Sequence, residues 1–311
     1  MYSEHCTNKD FTMKRSSVCF LLVIILFIGI IPPVGADAVE DRPPYYLDEN
    51  KSRYEAFAAK NPSMPYDKVI AYVNANVDYG PYNNIETIKN PSSTSAMLNK
   101  NFILSSDYVP KDLVTLPGGG LLRAEAAAAF IKMRDAANQD GLTLAVRSSY
   151  RTFGDQVASY NLVMDSYGRD SAEASVARAG HSEHQLGLTL DLAPMAGLTG
   201  PLTAMHFEDT AQYSWLLEHG HEYGFILRYP SAYVHIHNYV FEPFHWRYVG
   251  VKIATTMFNE GITTLEEYYG KYLSPVVRMK LRFTHLSRLM QSLPVFPDIS
   301  SIPPSQTNAS W

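Results

Sequence analysis

One uninterrupted apolar stretch dominates the start of the chain. Val18 to Ile31 (VCFLLVIILFIGII) follows Lys14 and Arg15 and precedes Pro32, Pro33 and the small-residue run Val34-Gly35-Ala36-Asp37-Ala38. As a helix this run rises only about 21 Å, short of the roughly 30 Å hydrocarbon core of a bilayer. A basic start, a short apolar centre and a small-residue cleavage site predict a signal peptide over residues 1–36. Left uncleaved, the same segment would be a membrane anchor. Export to the cell exterior is the expectation in either case. Residues 37–66 are rich in Pro, Tyr and charge and read as a linker with one short helix.

From 67 to 120 short apolar runs such as Lys68–Val73 and Asn101–Leu104 alternate with turn residues, which predicts short strands and loops. Pro117-Gly118-Gly119-Gly120 is a strong break. Beyond it the periodicity is regular. Ala126, Phe130, Met133 and Ala137 recur at helical spacing between Arg123 and Gln139, and Gly141 stops the helix. Leu142–Val146 and Leu188–Leu192 read as buried strands, the second with an acid at its fourth position. Asp155–Tyr167 and Asp209–Gly220 read as helices, Phe225–Tyr229 and Tyr233–Phe241 as strands, and Trp246–Gly261 as a helix. Thr264-Leu265-Glu266-Glu267 forms a capping box that opens another helix. The expected fold class is α+β, a small antiparallel sheet flanked by helices, in one domain over 67–273 with a C-terminal tail at 274–311 that is loose from Gln291 onward.

Composition narrows the function. The 311 residues are 46% hydrophobic and 18% charged, with 26 Lys+Arg against 31 Asp+Glu, a net charge of −5. That balance argues against a nucleic-acid partner, and no repeat suggests a solenoid or propeller. Both cysteines, Cys6 and Cys19, lie in the leader. The exported chain would therefore have no disulfide, no thiol nucleophile and no Cys-bound metal.

Two segments carry the chemistry. In Ser182-Glu183-His184-Gln185-Leu186-Gly187-Leu188-Thr189-Leu190-Asp191 a carboxylate sits inside an apolar strand, where burial is costly unless it is paired or coordinated. An arginine or a backbone turn could hold it, and so could a site shared with His184. In Phe241-Glu242-Pro243-Phe244-His245-Trp246 a glutamate and a histidine stand three apart, which also suits a capped helix start. Together the segments supply two histidines, a carboxylate and a further Glu. Catalytic zinc needs three protein ligands, an open position for water, and a carboxylate to take the proton.

At these positions the chain resembles the zinc D-alanyl-D-alanine carboxypeptidases of the VanY type, a group that also includes the dipeptidase VanX and the hedgehog fold. The family pattern S-x-H-x-x-G-x-x-x-D falls on Ser182, His184, Gly187 and Asp191. The pattern E-P-W-H-[FW]-R-Y-V-G falls on Glu242 to Gly250, and S-x-Y-R-[ST]-x-x-x-Q on Ser148 to Gln156. The likeness runs from about Asn99 to about Tyr269. It implies a hedgehog-like peptidase fold, with Zn2+ held by His184, Asp191 and His245, Glu242 as general base and Arg151 on the substrate carbonyl. It also implies that Ser182, Gln156 and Tyr150 line the substrate site. The implied substrate is the peptide stem of peptidoglycan, which loses its terminal D-Ala by D,D- or L,D-cleavage. A cell-wall endopeptidase or dipeptidase of the same fold, and a non-catalytic wall-binding module, are the alternatives. Two departures concern the pocket rim: Phe244 stands where the family has Trp, and His237-Asn238 where it has Thr-Gly.

The remaining histidines carry weaker patterns. His235-x-His237 could present two imidazoles on one strand face, but no third ligand is near in sequence. His219 and His221 straddle a helix end, where a cation suits the dipole. His181 adjoins the first segment as a candidate supporting residue. No lysine has Ser three positions before it, so a serine-type S-x-x-K peptidase is excluded.

Overall fold

The structure, a computed structural model, describes residues 42–195 and 206–292. The expected leader over 1–36 and the tail beyond 292 lie outside the described residues. Helices α1 (Lys51–Lys60) and α2 (Tyr66–Asn74) come first. Strand β1 (Glu86–Thr87) pairs in parallel with β2 (Phe102–Ile103), and β3 (Leu113–Thr115) pairs antiparallel with β4 (Leu121–Arg123). Next come α3 (Ala124–Gln139), β5 (Ala145–Ser148), α4 (Phe153–Tyr167), α5 (Arg169–Ser175) and β6 (Thr189–Ala193). The chain continues through α6 (Ala211–His219), β7 (Phe225–Leu227), α7 (Val234–His237), β8 (His245–Tyr248), α8 (Val251–Asn259), α9 (Leu265–Tyr268) and α10 (Pro275–Ser292). The fold class is α+β, as the pattern predicts.

The central sheet has the order β5-β6-β8-β7 and is antiparallel throughout. Successive strand side chains face opposite ways. Leu190 and Leu192 of β6 therefore enter one core, while Asp191 faces the other side. That core also holds Ala126, Phe130, Met133 and Ala137 of α3, with Phe225, Trp246 and Tyr248 from the neighbouring strands. Pairing aligns Asp191 with His245 on β8 and with Ser148 on β5. Register thus places two of the chemical residues side by side, and a slip of one residue would separate them.

Several expectations are corrected. Residues 43–66 are not a linker: Tyr45, Tyr46, Leu47 and Tyr54 are buried with Val69, Ile70, Ala71 and Val73 of α2 and with Val277 of α10. Lys68–Val73 lies in a helix rather than a strand. Five consecutive residues there, Val69 to Val73, are buried, so the run shows no polar face to betray its period. Part of the expected tail, from Pro275 to Ser292, is helical. Tyr233–Phe241 contains the single helical turn α7, ended by Asn238 at φ 61°. The expected helix over Trp246–Gly261 begins as β8, turns at Gly250 with φ 88°, and becomes helical at Val251.

Candidate metal centre and active site

His184 sits on a 3-10 turn over Glu183–Leu186, which ends at Gly187 with φ 66°. A Cβ at Gly187 would lie 2.9 Å from Leu113 Cδ2 and 3.1 Å from Arg123 Cγ, so both conformation and space require glycine there. The turn aims the imidazole at β6. Nδ1–H of His184 donates to the Ser149 carbonyl at 2.6 Å, which leaves Nε2 as a lone-pair donor. Nε2 lies 3.3 Å from Asp191 Oδ2, and His245 Nδ1 lies 3.1 Å from Asp191 Oδ1. The two imidazoles meet edge to face with centroids 5.2 Å apart. One ligand atom from each of His184, Asp191 and His245 falls within 4.8 Å of the others, and all three residues are buried.

Two of those atoms, His184 Nε2 and Asp191 Oδ1, are buried without a hydrogen-bond partner among the described residues. Buried polar atoms left unpartnered are expensive, and a divalent cation satisfies them together. Two imidazoles and one carboxylate, with no sulfur, form a donor set suited to mononuclear zinc with an open position. The protonation states agree in part. Burial, reinforced by the Arg151 charge, brings His184 down to about 4, so it is a neutral ligand at pH 7. His245 is also penalised by burial, but the Asp191 and Glu183 carboxylates beside its ring outweigh this and lift it to about 9. A metal at Nδ1 must therefore displace a proton. Asp191 is held well below the ordinary carboxylate range: the imidazoles outweigh its burial.

Glu242 Oε2 lies 3.3 Å from His245 Nδ1. Burial raises its carboxyl to about 7, against the opposing pull of His245. A carboxyl near neutrality accepts and returns a proton readily. Arg151 enters from the residue before the N-cap of α4. Thr152 and Asp155 form a reciprocal capping box there, with bonds of 3.1 and 3.0 Å. The backbone N–H of Arg151 donates to the His184 carbonyl at 3.2 Å, and its buried Nε has no hydrogen-bond partner among the described residues.

These groups surround a cavity of about 180 Å³, which Gln156, Ser182, Tyr229, Tyr239 and Phe244 also line. Gln156 Nε2 is committed to the Ala177 carbonyl at 2.7 Å, while its buried Oε1 has no hydrogen-bond partner among the described residues. Tyr150 is the exception. It is not among the residues lining this cavity, and its buried hydroxyl has no hydrogen-bond partner among the described residues.

Comparison with known proteins decides the family. The family model described as VanY, D-alanyl-D-alanine carboxypeptidase, matches residues 120–251. A putative carboxypeptidase YodJ of Bacillus subtilis is 36% identical over 197 residues, covering 60% of this chain and 71% of that protein. The bifunctional D-Ala-D-Ala dipeptidase and carboxypeptidase VanXYC of Enterococcus gallinarum is 32% identical over 191 residues, covering 60% of this chain and 98% of the relative. The chain belongs to the VanY family. Among solved structures, the LD-carboxypeptidase LdcB matches with TM-score 0.55 at 36% identity, over 60% of this chain and 90% of LdcB. The D,D-dipeptidase VanXYg, in complex with a D-Ala-D-Ala phosphinate analog, matches with TM-score 0.51 at 28% identity, over 57% and 70%. This VanY-family chain is thus a metallo-carboxypeptidase whose donor set is that of a zinc enzyme.

The motifs missed the support behind the centre. Glu183 Oε1 accepts from Arg228 Nε at 2.9 Å and Arg247 Nη1 at 2.7 Å. Arg228 also pairs with both oxygens of Glu266 at 2.8 and 3.0 Å. The two arginines hold Glu183 ionised well below its ordinary range despite full burial. Its other oxygen, Oε2, faces His245 Nε2 at 3.7 Å. A carboxylate behind one ring nitrogen favours a proton there and leaves Nδ1 as the ligand atom. The adjacency of Glu183 to His184 was the available signal; nothing in the spacing announces Arg228 or Glu266.

The His235-x-His237 pair is not a metal site. His237 is buried, with Nε2–H donating to the Pro230 carbonyl at 3.0 Å and Nδ1 accepting from Tyr239 N–H at 3.2 Å. Its ring packs edge-on to Tyr229, so this departure from the family pattern supports the aromatic wall rather than the metal. His181, also buried, is bonded through Nδ1 to the Asn99 carbonyl at 2.9 Å.

Proposed function

We propose that this chain is an exported zinc carboxypeptidase that removes the terminal D-Ala from peptidoglycan stem peptides. The observation that carries the reading is the buried His184–Asp191–His245 cluster with the buried Glu242 carboxyl 3.3 Å from His245 Nδ1. When bound, zinc supplies an acidified water and a Lewis acid for the scissile carbonyl. Glu242 takes the proton of the attacking water and returns it to the leaving D-Ala amine; its raised pKa fits both transfers. Arg151 presents a cation, with an unpartnered Nε–H, to the oxyanion that develops on the carbonyl oxygen. Glu183 keeps His245 in the tautomer that leaves Nδ1 free. Ser182 and the free Oε1 of Gln156 offer polar contacts to the peptide, and Tyr229, Tyr239 and Phe244 supply apolar wall. The basic start, short apolar run and small-residue site before Ala38 support export, with the leader either cleaved or retained as an anchor.

The test is mass spectrometry of synthetic stem pentapeptide, stem tetrapeptide and free D-Ala-D-Ala, each incubated with purified protein with and without a chelator. Loss of one alanine from the pentapeptide marks D,D-cleavage, and loss from the tetrapeptide marks L,D-cleavage. Cleavage of free D-Ala-D-Ala alone would reassign the chain as a dipeptidase. No chelator-sensitive product from any of the three peptides would overturn the reading.

A further inference from the structure

Helix α10 has two faces of different kinds. It is 18 residues long, and its sequence PVVRMKLRFTHLSRLMQS holds Arg278, Lys280, Arg282 and Arg288 with no Asp or Glu. Val277 is buried against α1 and α2, with Leu281 packed beside it. At 3.6 residues per turn, Val276, Met279, Phe283 and Leu286 fall within about 80° of arc on the opposite side. There they are exposed by 48%, 61%, 63% and 54% respectively. Arg278 and Arg282 flank that stripe on one side, and Lys280, whose Nζ reaches the Tyr46 carbonyl, stands on the other. The helix is thus tied to the domain along one seam and presents an apolar ridge between cations along the other.

We propose that α10 is an interfacial helix that seats on an anionic lipid surface. An apolar ridge running about 15 Å along the helix, from Val276 to Leu286, enters the boundary between headgroups and acyl chains while the flanking guanidinium groups stay at the phosphate level. The absence of any acid on the helix makes its charge complementary to anionic headgroups, which attract each nearby basic side chain. Among the described residues no helix is long and apolar enough to cross a membrane, so α10 lies on the surface rather than through it. The seam through Val277 leaves the catalytic domain attached to the helix while the ridge is immersed. This surface is independent of the proposed peptide cleavage.

The test uses the full chain with Cys6→Ser and Cys19→Ser, carrying an environment-sensitive fluorophore on a cysteine introduced by Leu286→Cys. Vesicles of phosphatidylglycerol with phosphatidylcholine are compared with phosphatidylcholine alone. Whatever the apolar segment 18–31 does, the label reports on α10. The expected result is a blue shift, with quenching by acyl-chain quenchers, on the anionic vesicles only. The same label at Leu162→Cys, a position 68% exposed on α4, stays unchanged. Adding Arg278→Gln and Arg282→Gln weakens the response by roughly tenfold or more. An absent response, an equal response on both vesicles, a matching response at position 162, or indifference to the arginine changes would each overturn the proposal. A blue shift that grows with protein concentration without vesicles would assign the ridge to a second copy of the chain instead.

Discussion

Replacing Arg228 by Met puts the buried ion network to a quantitative test. The guanidinium is fully buried and donates to Glu183 at 2.9 Å, to the two oxygens of Glu266 at 3.0 and 2.8 Å, and to the Leu98 carbonyl at 3.1 Å. Methionine fills much of the volume but leaves buried Glu183 with Arg247 alone and takes from buried Glu266 the guanidinium that meets both its oxygens. Removing one partner of a buried pair costs about 3–5 kcal/mol, because the remaining charge has lost its compensation. For a domain of this size that corresponds to a fall in Tm of roughly 6–20 °C. The assay is thermal unfolding followed by circular dichroism on chelated protein, so that metal binding does not contribute.

The cost must also depend on pH. Glu183 and Glu266 have folded pKa values depressed by the arginines, so their contribution is present above the unfolded carboxyl range and is lost as pH falls. In the variant those carboxyls are free to protonate, and the gap to wild type should narrow from pH 7 to pH 5. Adding Glu266→Gln to the variant should recover part of the loss, with a coupling of about 0.5–3 kcal/mol. A Tm change under about 2 °C at pH 7, or a gap that widens on acidification, would refute the account.

Four further outcomes are expected. Glu242→Gln should bind zinc stoichiometrically by elemental analysis while kcat falls at least about 100-fold; near-normal turnover would remove Glu242 as the base. The acid limb of kcat/KM should lie at or below about pH 7, since the Glu242 carboxyl, at about 7 without metal, must be ionised to act and a neighbouring cation lowers it; a limb at pH 8 would contradict the assignment. Chelation should abolish activity and lower Tm without unfolding the domain, and saturation with zinc at about 1,000 times its Kd should restore about 4 kcal/mol; chelator-resistant turnover would dismiss the metal. Glu183→Gln should weaken zinc about 10–100-fold in a chelator competition, because its amide donates towards His245 Nε2 and favours the wrong tautomer; Glu266→Gln, which does not face His245, should leave zinc affinity unchanged.

The parts of the fold that were legible share one property: their environment repeats locally. Helix α3 has one buried face, so Ala126, Phe130, Met133 and Ala137 show its period. Strand β6 shows in its apolar run, and the cost of burying Asp191 there marked it as chemical. Helix α2 is enclosed on all sides, and uniform burial erases the period that distinguishes helix from strand. In β8 the alternation of His245, Trp246, Arg247 and Tyr248 was hidden because Arg247 does not look like an inward residue. It is one only because the carbonyls of Thr94 and Ala96 and the carboxylate of Glu183 meet its guanidinium. The tyrosines of 43–66 read as part of a linker for a similar reason. The Tyr54 hydroxyl is buried because it donates to Asn74 Oδ1 at 2.7 Å and accepts from Leu47 N–H at 3.1 Å.

Residue identity and short-range spacing by themselves determined the donor types, the spare glutamate and the glycine that turns His184 towards β6. These properties belong to a few neighbouring residues and to the conformations their side chains allow. Tertiary structure alone decided that Asp191 stands opposite His245 and that Glu183 rather than solvent lies behind the His245 ring. Those facts depend on strand register and on charges brought together across long stretches of chain. A buried charge is tolerable only where a distant partner meets it, and local sequence does not state which partner that will be.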